Sequence, residues 1–298
     1  MSGLALLAAW VVLTQGSAAT PRAEDYAVQL DRPAVVGEAY VVAGWTRFVK
    51  MASLTAGQQP KRDEESSRVR FELGVKVLEV GASRQARHAV LTVRRLTREA
   101  NGVTDELLAA GTTIDARLDG SKKVFEVGGK SVEGDAQSAL VAAASLHPDD
   151  RPTDGEVMGS RQRRGIGESW PINPSAMMRV MGMNAAAAPQ GVSGSVTLVA
   201  RRMVGDIPCL EYRFKVEVPA RPRLKEPPGF ENTVNELTAE GSLLVPLDPS
   251  LPVMEESFTL EVHSRSEGSA QGAAATVELR VRDELHLERE ALPAAPAH

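Results

Sequence analysis

Cysteine is almost missing from this protein. Cys209 is the only one among 298 residues, so no intramolecular disulfide can form. It stands in "DIPCLEYRF", at the start of an apolar strand, where a small buried hydrophobe is the expected role. Acting as a nucleophile would require a histidine that only the fold can bring to it. Aromatic residues make up 4% of the sequence, so core volume must come mainly from Val, Leu, Ala and Met. Basic excess is missing too: 34 Lys and Arg face 39 Asp and Glu, for a net charge of -5. That balance gives no reason to expect nucleic acid as a partner. No Gly-rich phosphate loop of Walker or dinucleotide type occurs. His88, His147, His263, His286 and His298 form no H-x-x-x-H or His/Cys set, so neither a metal nor another cofactor is expected.

Long hydrophobic runs are confined to the first residues, "MSGLALLAAWVVLTQGSAAT". Leu4 to Leu13 have the length of a signal-peptide core and are too short for a comfortable membrane span. Ser17-Ala18-Ala19 offers small residues for cleavage, and we expect the cut after Ala19, giving residues 1–19 as a signal peptide. No Cys lies near the junction, so the lipid-attachment pattern is absent. The expected location is periplasmic, envelope-associated or extracellular, with no transmembrane segment after processing.

What the sequence does have is period-two alternation. "SRVRFELGVKVLEV" places Val69, Phe71, Leu73, Val75 and Val77 on one side and Arg70, Glu72 and Lys76 on the other, as an antiparallel sheet with one wet face requires. "HAVLTVRRL", "GTTIDARLDG" and "KKVFEVGGK" continue the pattern. "GSVTLVARRM", "CLEYRFKVEV", "GSLLVPLD", "ESFTLEVHS" and "AATVELRVRDELHLERE" repeat it in the second half. Two segments read as helices: "GDAQSALVAAASLH", and "NPSAMMRVMGMN" with Asn173 as N-cap and Pro174 at the first helical position. The expected fold is mainly β (α+β): two similar antiparallel halves forming a curved sheet or half-barrel, with one or two short helices. The halves would span 20–146 and 166–290, joined by a polar linker at 147–165 and followed by a disordered tail at 291–298.

"RGIGESWPIN" (164–173) echoes "AVVGEAYVVA" (34–43), and the two glycines, Gly37 and Gly167, stand 130 positions apart, as do Gly111 and Gly241. This spacing is what an old tandem duplication leaves behind. The competing reading is a nucleophile elbow at Ser169. It lacks the final Gly, replaced by Pro171, and the alternating strands and helices that the elbow needs. Gly167, Glu168, Ser169 and Trp170 make a G-[DE]-x-W element at the midpoint of the sequence. Through it the protein resembles exported, β-rich bacterial proteins and lipoproteins of a planctomycete type. That family carries no assigned activity, so the resemblance implies layout and export only. The layout is also similar to the half-barrels of periplasmic lipoprotein carriers, by analogy of architecture.

These features favour a non-enzymatic binding or envelope-associated protein whose ligand is apolar or lipid-like. Trp170, Met177, Met178 and Met181 are its candidate contacts, because a methionine stripe makes an adaptable surface. The partner is an apolar ligand or another envelope protein. The alternatives are a hydrolase assembled from residues distant in sequence, or a structural cell-surface protein. His147, Asp149, Asp150, Asp154 and Glu156 form the densest acidic cluster, and Arg161, Arg163 and Arg164 a short basic one. Both read as solvated loops.

Overall fold

The computed structural model describes residues 24–56, 59–181, 191–219, 229–270 and 273–292. The expected signal peptide, most of the Pro-bearing connections "AAAAPQG" (185–191) and "VPARPRLKEPPGFEN" (218–232), and the end of the tail lie outside them. The first half runs β1 (Asp25–Tyr26), β2 (Ala39–Ala56), β3 (Gln59–Val80), β4 (Ala86–Ala100), β5 (Val103–Glu106), β6 (Thr113–Asp119), β7 (Lys122–Val127), β8 (Lys130–Ser131) and α1 (Gly134–Ala143). The second runs α2 (Asp154–Met158), β9 (Arg164–Gly165), β10 (Ser169–Pro171), α3 (Pro174–Val180), β11 (Ser193–Val204), β12 (Ile207–Pro219), β13 (Phe230–Pro246), β14 (Glu255–Ala270) and β15 (Ala273–Ala291).

Thirteen of these strands form one antiparallel sheet that does not close. Its order is β10-β11-β12-β13-β14-β15-β2-β3-β4-β6-β7-β8, with β5 attached to β4. The two halves therefore share a single sheet, fused where β15 pairs with β2 from Ala275↔Ala56 to Ala291↔Tyr40. The outermost strands, β10 and β8, are only 3 and 2 residues long.

Alternation sorts the side chains as the sequence predicts. Val69, Phe71, Leu73, Val75 and Val77 are all buried, while Arg70 and Lys76 between them are exposed. Carried across the ladders, the same face holds Val42, Leu285 and Phe258, then Leu243, Tyr212 and Leu198. One face is thus mainly apolar along the sheet, with Arg289 and Asp283 among its exceptions. α1 covers it over the first half through Ala136, Ala139, Leu140 and Ala143. Over the second half, α2 and α3 cover it with Val157, Met158, Ala176 and Met178. The opposite face carries ion pairs such as Arg282–Glu261 and Arg213–Glu211, exposed enough to add little stability each.

Glycine relieves backbone crowding at two places inside the sheet. Gly44 and Gly241 lie on the apolar face in strand interiors. A Cβ at Gly44 would stand 2.1 Å from the His286 carbonyl oxygen; one at Gly241 would stand 2.3 Å from that of Ser257. Removing the side chain where neighbouring backbones crowd lets a strand bend sharply.

Both expected helices form. Asn173 Oδ1 accepts from the Ala176 amide at 3.2 Å, capping α3. At the end of α1, Lys123 Nζ donates to the carbonyls of Val141 and Ala144 at 3.0 and 2.9 Å, using two of the acceptors a helix end leaves unmet. Segment 147–165, read from sequence as a linker, holds a third helix. α2 starts with a full Thr153/Glu156 capping box, and its Val157 and Met158 enter the second core. Charge dominates the sequence pattern there and hides one helical turn. Residues 24–32, assigned by sequence to the first half, pack on the second: Leu30 joins its core and β1 pairs with β9.

The echo between residues 34–43 and 164–173 has a physical basis. Gly37 (φ +87°) and Gly167 (φ +89°) occupy the left-handed position of matching turns, where a side chain is strained. In each, the glycine amide donates to a strand carbonyl, Val77 at 2.9 Å or Leu198 at 2.7 Å. That strand residue's amide then returns a bond to the Glu38 or Glu168 carbonyl. Gly111 (φ +84°) makes the same clamp on Val93. Gly241 does not: it sits inside β13 opposite Phe214 and Phe258. The motif is a way of beginning a strand, used three times.

Candidate functional site

The sheet's apolar face is covered at both ends and left open between. Strands β2, β3, β14 and β15 are 16 to 22 residues long and outrun the helices. Beside α1 this leaves a cleft of about 850 Å³, within the size range of small-molecule sites. Its floor is Phe48, Val69, Phe258, Leu260 and Leu285, contributed by four adjacent strands. The α1 wall supplies Asp135, Ser138 and Ala142, with Asp135 held by Arg98 at 3.0 Å. Phe48, Phe258 and Leu260 are only partly buried, so the floor has apolar surface to give.

Thr46 and Ser67 put hydroxyls on the same face, and one ionisable group, Asp283, sits among the floor's apolar side chains. Asp283 pairs across the ladders with Phe48 on one side and Leu260 on the other. Desolvation alone raises its carboxyl above the usual range. Sequence reasoning missed this site although Asp283 interrupts the apolar register of "RVRDELHLERE" between Val281 and Leu285, because the charges on either side mask the break.

A second, polar cleft of about 280 Å³ lies where the halves meet. Arg289, nearly buried, ties its walls together: it donates to Glu256 Oε2 at 3.3 Å and to the Ser145 hydroxyl at 3.4 Å. Asp31 binds the Thr153 hydroxyl and the Gly155 amide at 2.9 and 2.8 Å. Lys123, densely enclosed, is pushed down to about 8. Asp154 lines the cleft as an exposed residue. Desolvation, then Glu256 and Asp31, raise its carboxyl to about 6. These groups bridge N-terminal, α1, α2 and β15 segments, and each bond named above is structural.

Asp154 has a consequence for pH. An unfolded Asp loses its proton near 3.8, while the folded one keeps it to about 6. Folding therefore binds a proton between those values, and this group's contribution to stability falls as pH rises through them. Asp154→Asn is expected to melt higher than the parent at about pH 8 and to lose that advantage below about pH 4. Paired thermal melts across that range check it, and an advantage that is constant with pH would count against the assignment.

The residues singled out from sequence fall elsewhere. Trp170 is buried in the second core, its Nε1 donating to the Met158 carbonyl at 2.7 Å and its ring meeting Tyr212 edge-on at 6.2 Å. Met178 is buried beside it, and Met177 and Met181 pack against the same cluster. As placed, Trp170 and Met178 are core packing with no surface to offer a ligand. The Ser169 hydroxyl meets only that of Thr197, at 2.7 Å, on the outer face. Burial raises the Cys209 thiol, whose sulfur meets the Ile207 carbonyl at 3.6 Å. The acidic cluster is dispersed: Asp149 binds Ser83 and Glu156 caps α2. Arg163 reaches the Asp25 carbonyl and Arg164 stacks 5.4 Å over Trp170, so both arginines hold the fold. Among the described residues no group of His, Cys, Asp and Glu is placed to hold a metal ion, and no helix is long and apolar enough to cross a membrane.

No protein-family model matches the sequence, and no curated protein matches it. Among solved structures, it is similar to one described for lipid–protein interactions in lipovitellin, at 8% identity and a TM-score of 0.33; the match covers 89% of this chain and 26% of that one. The protein thus spans about a quarter of that one's length. The outer membrane protein OprG of Pseudomonas aeruginosa follows at 6% identity and TM-score 0.16, covering 88% of this chain and 100% of that one. Ail of Yersinia pestis, its attachment invasion locus protein, gives 6% and 0.12, covering 85% and 99%. Scores this low carry no functional argument.

Proposed function

We propose that this is an exported, non-enzymatic protein that holds an apolar, lipid-like ligand against the open part of its sheet. The observation that carries this reading is the cleft beside α1, floored by Phe48, Phe258, Leu260 and Leu285 and left uncovered by the helices. Partly exposed apolar side chains brought together in a recess gain free energy when a ligand removes them from water. The curved, unclosed sheet lets such a ligand enter from the side, without a lid or a channel.

Titration with an uncharged fluorescent apolar probe such as N-phenyl-1-naphthylamine tests it. Saturable binding is expected, weakened about tenfold in Leu260→Gln, which puts a polar amide on the floor. Absence of saturable binding, or binding indifferent to Leu260, would overturn the reading. Native mass spectrometry of protein purified from its own host supplies the complementary result, a retained apolar molecule.

A further inference from the structure

The cleft's charge is as one-sided as its floor is apolar. Around it stand Asp63, Glu64, Glu65, Asp135, Asp283 and Glu284, against Arg47 and Arg98. Both cations are engaged, Arg98 with Asp135 at 3.0 Å and Arg47 with Glu284 at 3.6 Å. Asp63 and Glu65 share that face farther along β3, Glu65 opposite Lys50, whereas Asp283 has the floor residues Phe48 and Leu260 as its cross-strand neighbours. Among the described residues its carboxylate has no hydrogen bond or ion pair. Lys50 shares its face, opposite Val281, and makes no ion pair with it. A carboxylate kept half-buried among apolar side chains without a partner costs stability, and sites that bind charged ligands are where such groups are found.

We propose that the cleft selects an amphiphile with a cationic head, an alkyl ammonium, its tail lying on Phe48, Phe258 and Leu260 and its ammonium paired with Asp283. This rests on the apolar-ligand reading above and adds the charge of the ligand to it. The surplus of carboxylates around the mouth favours that head and repels a carboxylate or phosphate head on a tail of the same length.

Three twelve-carbon probes below their micelle concentrations separate the two ideas: dodecylammonium, dodecanoate and the neutral monododecanoyl glycerol. Dodecylammonium is expected to bind about tenfold tighter than the neutral probe, and dodecanoate weaker than either. Asp283→Asn, nearly identical in shape, is expected to bring the ammonium down to the neutral probe's affinity and leave the neutral probe unchanged. Equal affinities, preference for dodecanoate, or an ammonium preference that survives in Asp283→Asn would overturn this inference while the apolar-ligand reading stands. Failure of all three probes to bind overturns both. Asp283→Leu supplies a second measurement: losing an unpaired charge, it is expected to fold at least as stably as the parent while losing the selectivity for the ammonium.

Discussion

Gly44→Ala is expected to leave little or no soluble folded protein. The added methyl would stand 2.1 Å from the His286 carbonyl oxygen and 3.2 Å from the Leu287 Cα. Both are backbone atoms of β15, with no flexible side chain to swing aside. Relief requires β2 and β15 to separate locally, and that ladder fuses the halves. Overpacking that must move backbone costs about 3 kcal/mol or more. Gly74→Ala provides the contrast: its nearest neighbour would be the Thr92 Cβ at 3.8 Å, ordinary contact. Soluble yield and urea midpoints of the pair check this, and similar stability for the two variants would show that β2 and β15 are not in tight register here.

The second large effect is expected at Trp170. Trp170→Ala removes the ring that fills the space between Tyr212 and Arg164 and takes the indole N–H from the Met158 carbonyl. A large buried aromatic cut to Ala costs about 3–5 kcal/mol. Trp170→Phe keeps most of the packing and loses the bond, so a cost of about 1–3 kcal/mol is expected. Denaturant unfolding of the two variants ranks them. A loss below about 1 kcal/mol in Trp170→Ala would show the ring is not part of the core.

How far the sequence could be read follows from where its information was local. The alternation from Val69 to Val77 names both the strand and its buried face, because period two depends on nothing outside the segment. The N-cap at Asn173 was visible for the same reason. The cleft was not. Phe48 lies in β2, far in sequence from Phe258, Leu260 and Asp283 in β14 and β15, and only the β15–β2 ladder puts them side by side. Trp170 and Met178 were conspicuous as residues, and apolar side chains at helical or strand spacing serve a core far more often than a ligand. The Gly37/Gly167 echo was real as a turn. Its third use at Gly111 shows that the same turn also recurs inside the first half.

The position of β15 bears on how the molecule comes together. It is the last strand among the described residues, yet it lies between β14 and β2 near the centre of the sheet. Before it docks, β2 and β14 each present a long unpaired ladder of amides and carbonyls. Assembly of the described sheet therefore waits on the last-made of its strands, and molecules lacking it expose their stickiest surfaces in the middle rather than at the rim.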